Sequence, residues 1–159
     1  MIACIVGTMP LHSKLYHRAP AWVPDTAVFH VRVRAERGED LLRADRANGL
    51  VESACRYAAE GRWSCYIFLL MPDHLHAMLS FSRSRSMSEE VRNWKRGQSR
   101  CLGVRWQEGY FDHRIRSSDE FAKTYAYIER NPVVLNLCVK AEDWPWRAAA
   151  WSQEARPTP

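Results

Sequence analysis

Met71-Pro72-Asp73-His74-Leu75-His76 closes a strongly apolar run, Cys65-Tyr66-Ile67-Phe68-Leu69-Leu70. A short continuous apolar run reads as a buried strand. Pro72-Asp73 marks a bend, and His74 to Phe81 reads as a second strand, so a hairpin or strand kink is predicted here. Side chains of a strand alternate between faces. His74 and His76 therefore share one face, while Leu75 enters the core. Two imidazoles side by side on a sheet form half of a site for a divalent cation. A His-x-His pair alone is a weak signal, because two half-exposed surface histidines would read the same way.

Upstream, Ala27-Val28-Phe29-His30-Val31-Arg32-Val33-Arg34 alternates apolar and polar, the pattern of a half-buried strand with His30, Arg32 and Arg34 on its polar face. From about Glu39 to Glu60 the apolar spacing becomes helical, with Gly49 as a point of weakness and Gly61 as a C-terminal cap. Trp63 to Leu70 is the buried strand. Downstream, Ser86 with Glu89 fits a capping box opening a second helix, which carries Arg92, Lys95, Arg96 and Arg100 around Trp94. Trp106 to Arg116 is a short strand or loop. Ser117-Ser118-Asp119-Glu120 caps a third helix through Phe121, Tyr125 and Ile128, which Pro132 is expected to stop. Trp144-Pro145-Trp146-Arg147 is expected to pack back onto the body. This order predicts an α+β fold, an antiparallel sheet with helices on one face in a ferredoxin-like or RNA-recognition-like arrangement.

The 159 residues are 47% apolar, which suits one globular domain with a full core. Within it, residues 1–26 form a basic irregular lead-in and residues 140–159 a tail. No apolar run approaches the ~18–20 residues a membrane helix needs. The apolar start, Met1 to Gly7, is short and lacks a basic flank, so it is not read as a signal peptide. Cys4, Cys55, Cys65, Cys101 and Cys138 are scattered, with no Cys-x-x-Cys, which argues against a zinc ribbon or a disulfide framework. A reduced cytoplasmic protein with buried thiols is expected. The net charge is +5. Arginine supplies most of the cationic charge, and its fork matches phosphate geometry, so a polyanionic partner is favoured. Seven tryptophans and six tyrosines add faces on which single-stranded bases can stack, although most belong to packing.

Tyr127-Ile128-Glu129-Arg130-Asn131 places Tyr127 and Asn131 four residues apart, on one helix face. If that face meets the imidazole pair, His74, His76 and Asn131 offer a metal two nitrogens and one oxygen, with Tyr127 as a nucleophile beside it. Tyr125 is a competing nucleophile on a different face of the same helix, and Tyr110 is another, outside the motif.

Met-Pro-Asp-His-Leu-His, then Tyr-Ile-x-x-Asn-Pro-Val, then Glu-Asp-Trp-Pro-Trp resembles the REP-associated tyrosine transposases, a branch of the single-tyrosine HUH transposases (HUH for His-hydrophobic-His). The likeness spans roughly residues 15–150, and Phe29-His30-Val31 and Trp106 to His113 share the family's texture. It implies a single-stranded DNA endonuclease and strand transferase that uses Mg²⁺ or Mn²⁺ and passes through a 5′-phosphotyrosine formed by Tyr127. The implied partner is hairpin DNA of repeated palindromes, bound by a monomer or a homodimer. Other single-tyrosine insertion-sequence transposases carry glutamine four residues after the tyrosine. Asn131 is one methylene shorter, so the helix must approach the metal more closely. Arg32, Arg34, Lys95, Arg96, Arg100, Arg114 and Arg116 are the candidate DNA contacts. The other reading is a non-cleaving binder of structured single-stranded nucleic acid.

Overall fold

The computed structural model describes residues 27–82 and 84–151. The lead-in of residues 1–26, with Cys4, lies outside them, as does the end of the tail. Nine elements follow in order: β1 (Val28–Arg34), α1 (Ala44–Ala59), β2 (Ser64–Leu70), β3 (His74–Ser80), α2 (Met87–Leu102), β4 (Phe111–Arg114), α3 (Ser118–Val134), a 3-10 turn (Ala141–Asp143) and β5 (Arg147–Trp151). The strands form one antiparallel sheet in the order β4-β1-β3-β2-β5. The first six elements, in the spatial order 4-1-3-2, make the ferredoxin-like unit that the sequence predicts.

β3 is the middle strand, and all seven of its residues are buried. Its two faces enter different cores. Leu75, Ala77 and Leu79 join Val31, Val33, Phe68 and Leu70 beneath α1 and α2, where Leu50, Ala54, Val91 and Trp94 complete the larger cluster. Met78 joins Ile67, Leu69 and Met71 on the other face, closed by Ile128 of α3 and by Trp144. The register of β2 shifts between Cys65 and Ile67. Such a bulge places two successive residues on one side, and Tyr66 and Ile67 both lie in the smaller core.

The α+β antiparallel sheet is as expected, but the helices do not all share a face. α1 and α2 do; α3 crosses the opposite side. The reason is the apolar content of β2, which buries six of its seven residues and so needs cover on both faces. β5 adds a strand that the sequence read only as a tail packing back. It pairs with β2, and the Trp144 indole donates to the Leu70 carbonyl at 2.9 Å.

Several local expectations are corrected. Gly49 does not interrupt α1. A Cβ there would stand 3.0 Å from the Leu102 side chain, so the glycine lets the end of α2 close on α1. Ser86 makes no side-chain cap to α2; its hydroxyl meets that of Ser88 at 2.9 Å. Pro132 lies inside α3, which continues to Val134. A proline this close to the end forfeits one helical bond. The amides of Leu135 and Leu137 still close the turn on the carbonyls of Asn131 and Pro132, and the buried ring gains packing. The thiols are not uniformly buried: Cys65 is, but Cys101 is exposed.

Candidate active site

The Pro72-Asp73 bend is a tight hairpin, tied by the Met71 amide to the His74 carbonyl at 2.8 Å. β3 leaves this turn with His74 and His76 on the α3 face, 8% and 1% exposed. Their Nε2 atoms lie 3.2 Å apart, with ring planes at 85°. Two nitrogens at ~2.1 Å from one ion stand roughly 3.0 Å apart in octahedral and 3.4 Å in tetrahedral geometry. The observed separation fits a pair converging on one cation. The far nitrogen of each ring is also occupied. His74 Nδ1 meets the Asp73 carboxylate at 2.6 Å, and His76 Nδ1 meets Nε2 of His30 at 2.9 Å. Ring nitrogens held from behind are a usual accompaniment of metal ligation.

β1 brings its polar face to the same place, since Arg32 lies opposite His76 and Arg34 opposite His74. Burial, then the charges of Arg32 and His113, lowers the His30 pKa from its ordinary 6.5 to about 4. Burial, then His74, His30 and the two arginines, lowers that of His76 to about 3. Both rings are therefore neutral at pH 7, the form that carries a lone pair for a metal.

α3 covers the same face. Its start is fixed by the Ser117 hydroxyl, which accepts the Glu120 amide at 3.1 Å. The Glu120 carboxylate in turn holds His113 Nε2 at 2.6 Å and the Arg116 amide at 2.7 Å. Ile128, fully buried, and the Arg147–Glu129 ion pair at 3.1 Å hold its middle against the sheet. This docking sets the Tyr127 ring 5.8 Å from that of His76 and 6.3 Å from that of His30. Tyr127 itself is 55% exposed, so an incoming strand has access to it. One turn on, the Asn131 amide nitrogen donates to the Tyr127 carbonyl at 2.8 Å. That bond leaves the carboxamide oxygen as the end available to a cation. Among the described residues no group of three His, Cys, Asp or Glu side chains is arranged to hold a metal.

Tyr125 lies on the packing side of α3, stacked on Phe121 at 6.3 Å and set against the smaller core. Tyr110 packs against the larger core, beneath the opposite face of the sheet. The candidate DNA contacts divide. Arg32 and Arg34 flank the histidines. Lys95 is spent on the carbonyls of Gln107 and Gly109, at 2.8 and 2.6 Å, and burial lowers its pKa. Arg96 and Arg100 are exposed on α2, across the sheet from the histidines. Arg114 lies opposite Phe29, which packs toward the larger core, and Arg116 is exposed just before α3.

No family model matches the sequence. An uncharacterized protein of Haemophilus influenzae is 25% identical over 42% of this chain. The match covers 53% of that protein, so the chain spans about half the length of the curated relative. Among solved structures, a REP-associated tyrosine transposase bound to a REP hairpin superposes with a TM-score of 0.68 at 20% identity, covering 77% of this chain and 76% of that one. The fold is that of a REP-associated tyrosine transposase. A suspected transposase of Deinococcus radiodurans R1 is 19% identical over 66% of this chain and 90% of its own, with a TM-score of 0.48.

On this transposase fold, two side chains gain a place at the site that the sequence did not assign them. His30 backs His76. Phe111, on the edge strand β4, is 46% exposed. Its ring meets His30 edge-on at 5.8 Å and carries the Arg32 guanidinium at 5.2 Å. The alternation of β1 put His30 on the same face as Arg32. Only the β1–β3 pairing reveals that this face is also that of His76.

Proposed function

We propose that this protein is a metal-dependent transposase that cuts and rejoins single-stranded hairpin DNA through a 5′-phosphotyrosine on Tyr127. The observation that carries the reading is the exposed Tyr127 ring beside a converging imidazole pair, on a helix that also presents Asn131. The fold likeness adds to it, since the related structure was solved with a REP hairpin.

His74, His76 and Asn131 would hold Mg²⁺ or Mn²⁺, which as a Lewis acid would polarise the scissile phosphate. The Tyr127 hydroxyl gives up its proton to solvent as its oxygen attacks phosphorus in line, forming a phosphodiester to the 5′ side. The bond to the 3′ oxygen breaks, and that oxygen leaves as a hydroxyl with the proton it acquires. The covalent link retains the phosphodiester energy, so another 3′-hydroxyl can later displace Tyr127 without a nucleotide cofactor. Arg32 and Arg34 would neutralise phosphates near the cut, and the open face of Phe111 would stack a neighbouring base.

The test is a labelled hairpin oligonucleotide with Mn²⁺, resolved for a covalent protein–DNA adduct. Wild type is expected to form the adduct and Tyr127→Phe to form none. Equal adduct from both proteins would remove Tyr127 as the nucleophile. Hairpin binding with no adduct from wild type would favour the non-cleaving binder.

A further inference from the structure

We propose that His30 is a positioning residue for the cation site: it sets which nitrogen of His76 carries the proton, and it switches tautomer together with His76 when a divalent cation binds. The proposal rests on the reading of His74 and His76 as cation ligands and assigns a role to a third ring behind them.

The hydrogen-bond chain runs Asp73, His74, His76, His30, with contacts of 2.6, 3.2 and 2.9 Å. Its direction follows from its first member. An ionised carboxylate only accepts, so a singly protonated His74 carries its proton on Nδ1 and leaves Nε2 bare. Without a cation, the Nε2–Nε2 contact then requires His76 to donate from Nε2. His76 Nδ1 is bare in that state and must accept from His30 Nε2. With a cation between the two Nε2 atoms, His76 Nε2 must be bare. Its proton moves to Nδ1 and points at His30 Nε2, which now accepts, and the proton of His30 moves to its own Nδ1. Each ring keeps one proton in both states, so neither gains nor loses charge.

The second partner must therefore donate in one state and accept in the other. A carboxylate at position 30 would serve only the cation-bound state, and a lysine or arginine only the empty one. Imidazole serves both. The site uses a different partner on each ligand: an acceptor with a fixed role behind His74, and a reversible one behind His76. The location suits the task, since His30 is held between β3, the Phe111 ring and the Tyr127 ring, with its plane 28° from that of His76.

The test uses the whole chain without DNA. Mn²⁺ affinity is measured by calorimetry for wild type, His30→Gln and His30→Phe. Imidazole nitrogen tautomers are read by long-range ¹H–¹⁵N spectra with and without saturating Mg²⁺. Loss of such a supporting partner typically weakens metal binding about ten- to a hundredfold, and His30→Phe is expected to fall in that range. The amide of His30→Gln donates and accepts at the same reach, so it should stay within a few-fold of wild type. In wild type, the His76 proton should move from Nε2 to Nδ1 on adding Mg²⁺. Should His30→Phe fail to fold, the wild-type spectra and His30→Gln still decide. An unchanged His76 tautomer, or full affinity in His30→Phe, overturns the role of His30 and leaves the proposed function standing. Wild type that binds no Mn²⁺ removes the ligand set, and this proposal with it.

Discussion

At the scale of single residues, the site is assembled from imidazoles, those of His74 and His76 being buried in the sheet. The lowered pKa values of His30 and His76, about 4 and about 3, make a prediction about pH. The unfolded chain protonates these rings near 6.5, whereas the folded protein keeps them neutral to much lower pH. Below pH 6.5 the unfolded state therefore binds more protons, and stability falls as pH falls. The loss stops growing once the folded state also protonates, near 4 for His30 and 3 for His76. Urea unfolding of the metal-free protein should show a lower midpoint at pH 5 than at pH 7.5. In a His30→Gln, His76→Gln double variant the difference should shrink, and an equal difference in both proteins would assign the effect to other groups.

At the scale of elements, the docking of α3 matters most, because it carries Tyr127 to the histidines, with Asn131 one turn further on. Ile128 is its anchor, wholly buried against Ile67, Leu69 and Met78. Ile128→Ala should cost about 2–5 kcal/mol, the usual range for emptying a packed aliphatic site, seen as a lower unfolding midpoint. Ser117→Ala removes the helix cap and should cost about 1 kcal/mol. Adduct formation should fall further in Ile128→Ala than in Ser117→Ala, because the anchor lies beside the tyrosine and the cap ten residues before it. A loss of adduct in the cap variant equal to that in the anchor variant would show that the site depends on the start of α3 as much as on its middle. β1 and α1 were legible because each buries a regular stripe, and β2 and β3 because two short, largely apolar runs meet at a Pro-Asp bend. β5 was not, since Arg147-Ala148-Ala149-Ala150-Trp151 has no alternation to read and is recruited by the open edge of β2.

At the scale of the whole molecule, the sheet separates two basic surfaces. Arg32 and Arg34 share the α3 side with the histidines, while Arg96 and Arg100 lie on α2 across it. If the DNA lies along the α3 side, Arg32→Ala with Arg34→Ala should weaken hairpin binding and lower its salt slope by about one for each phosphate left without its arginine. Arg96→Ala with Arg100→Ala should change both less. Equal losses from the two pairs would mean that the hairpin reaches around the edge of the sheet. Phe111→Ala should cost about 1–3 kcal/mol of single-strand affinity if a base stacks there.

The sequence by itself determined the local pattern: a strand with two histidines on one side, a helix with a tyrosine and an asparagine one turn apart, and the α+β order. These follow from periods of two and 3.6, which are properties of neighbours along the chain. Only the tertiary structure decided that α3 lies on the histidine face rather than with α1 and α2, that β5 completes the sheet, and that His30 stands behind His76. Those outcomes depend on which apolar faces remain uncovered after the ferredoxin-like unit forms, and on a pairing between residues 46 positions apart. No local period records either one.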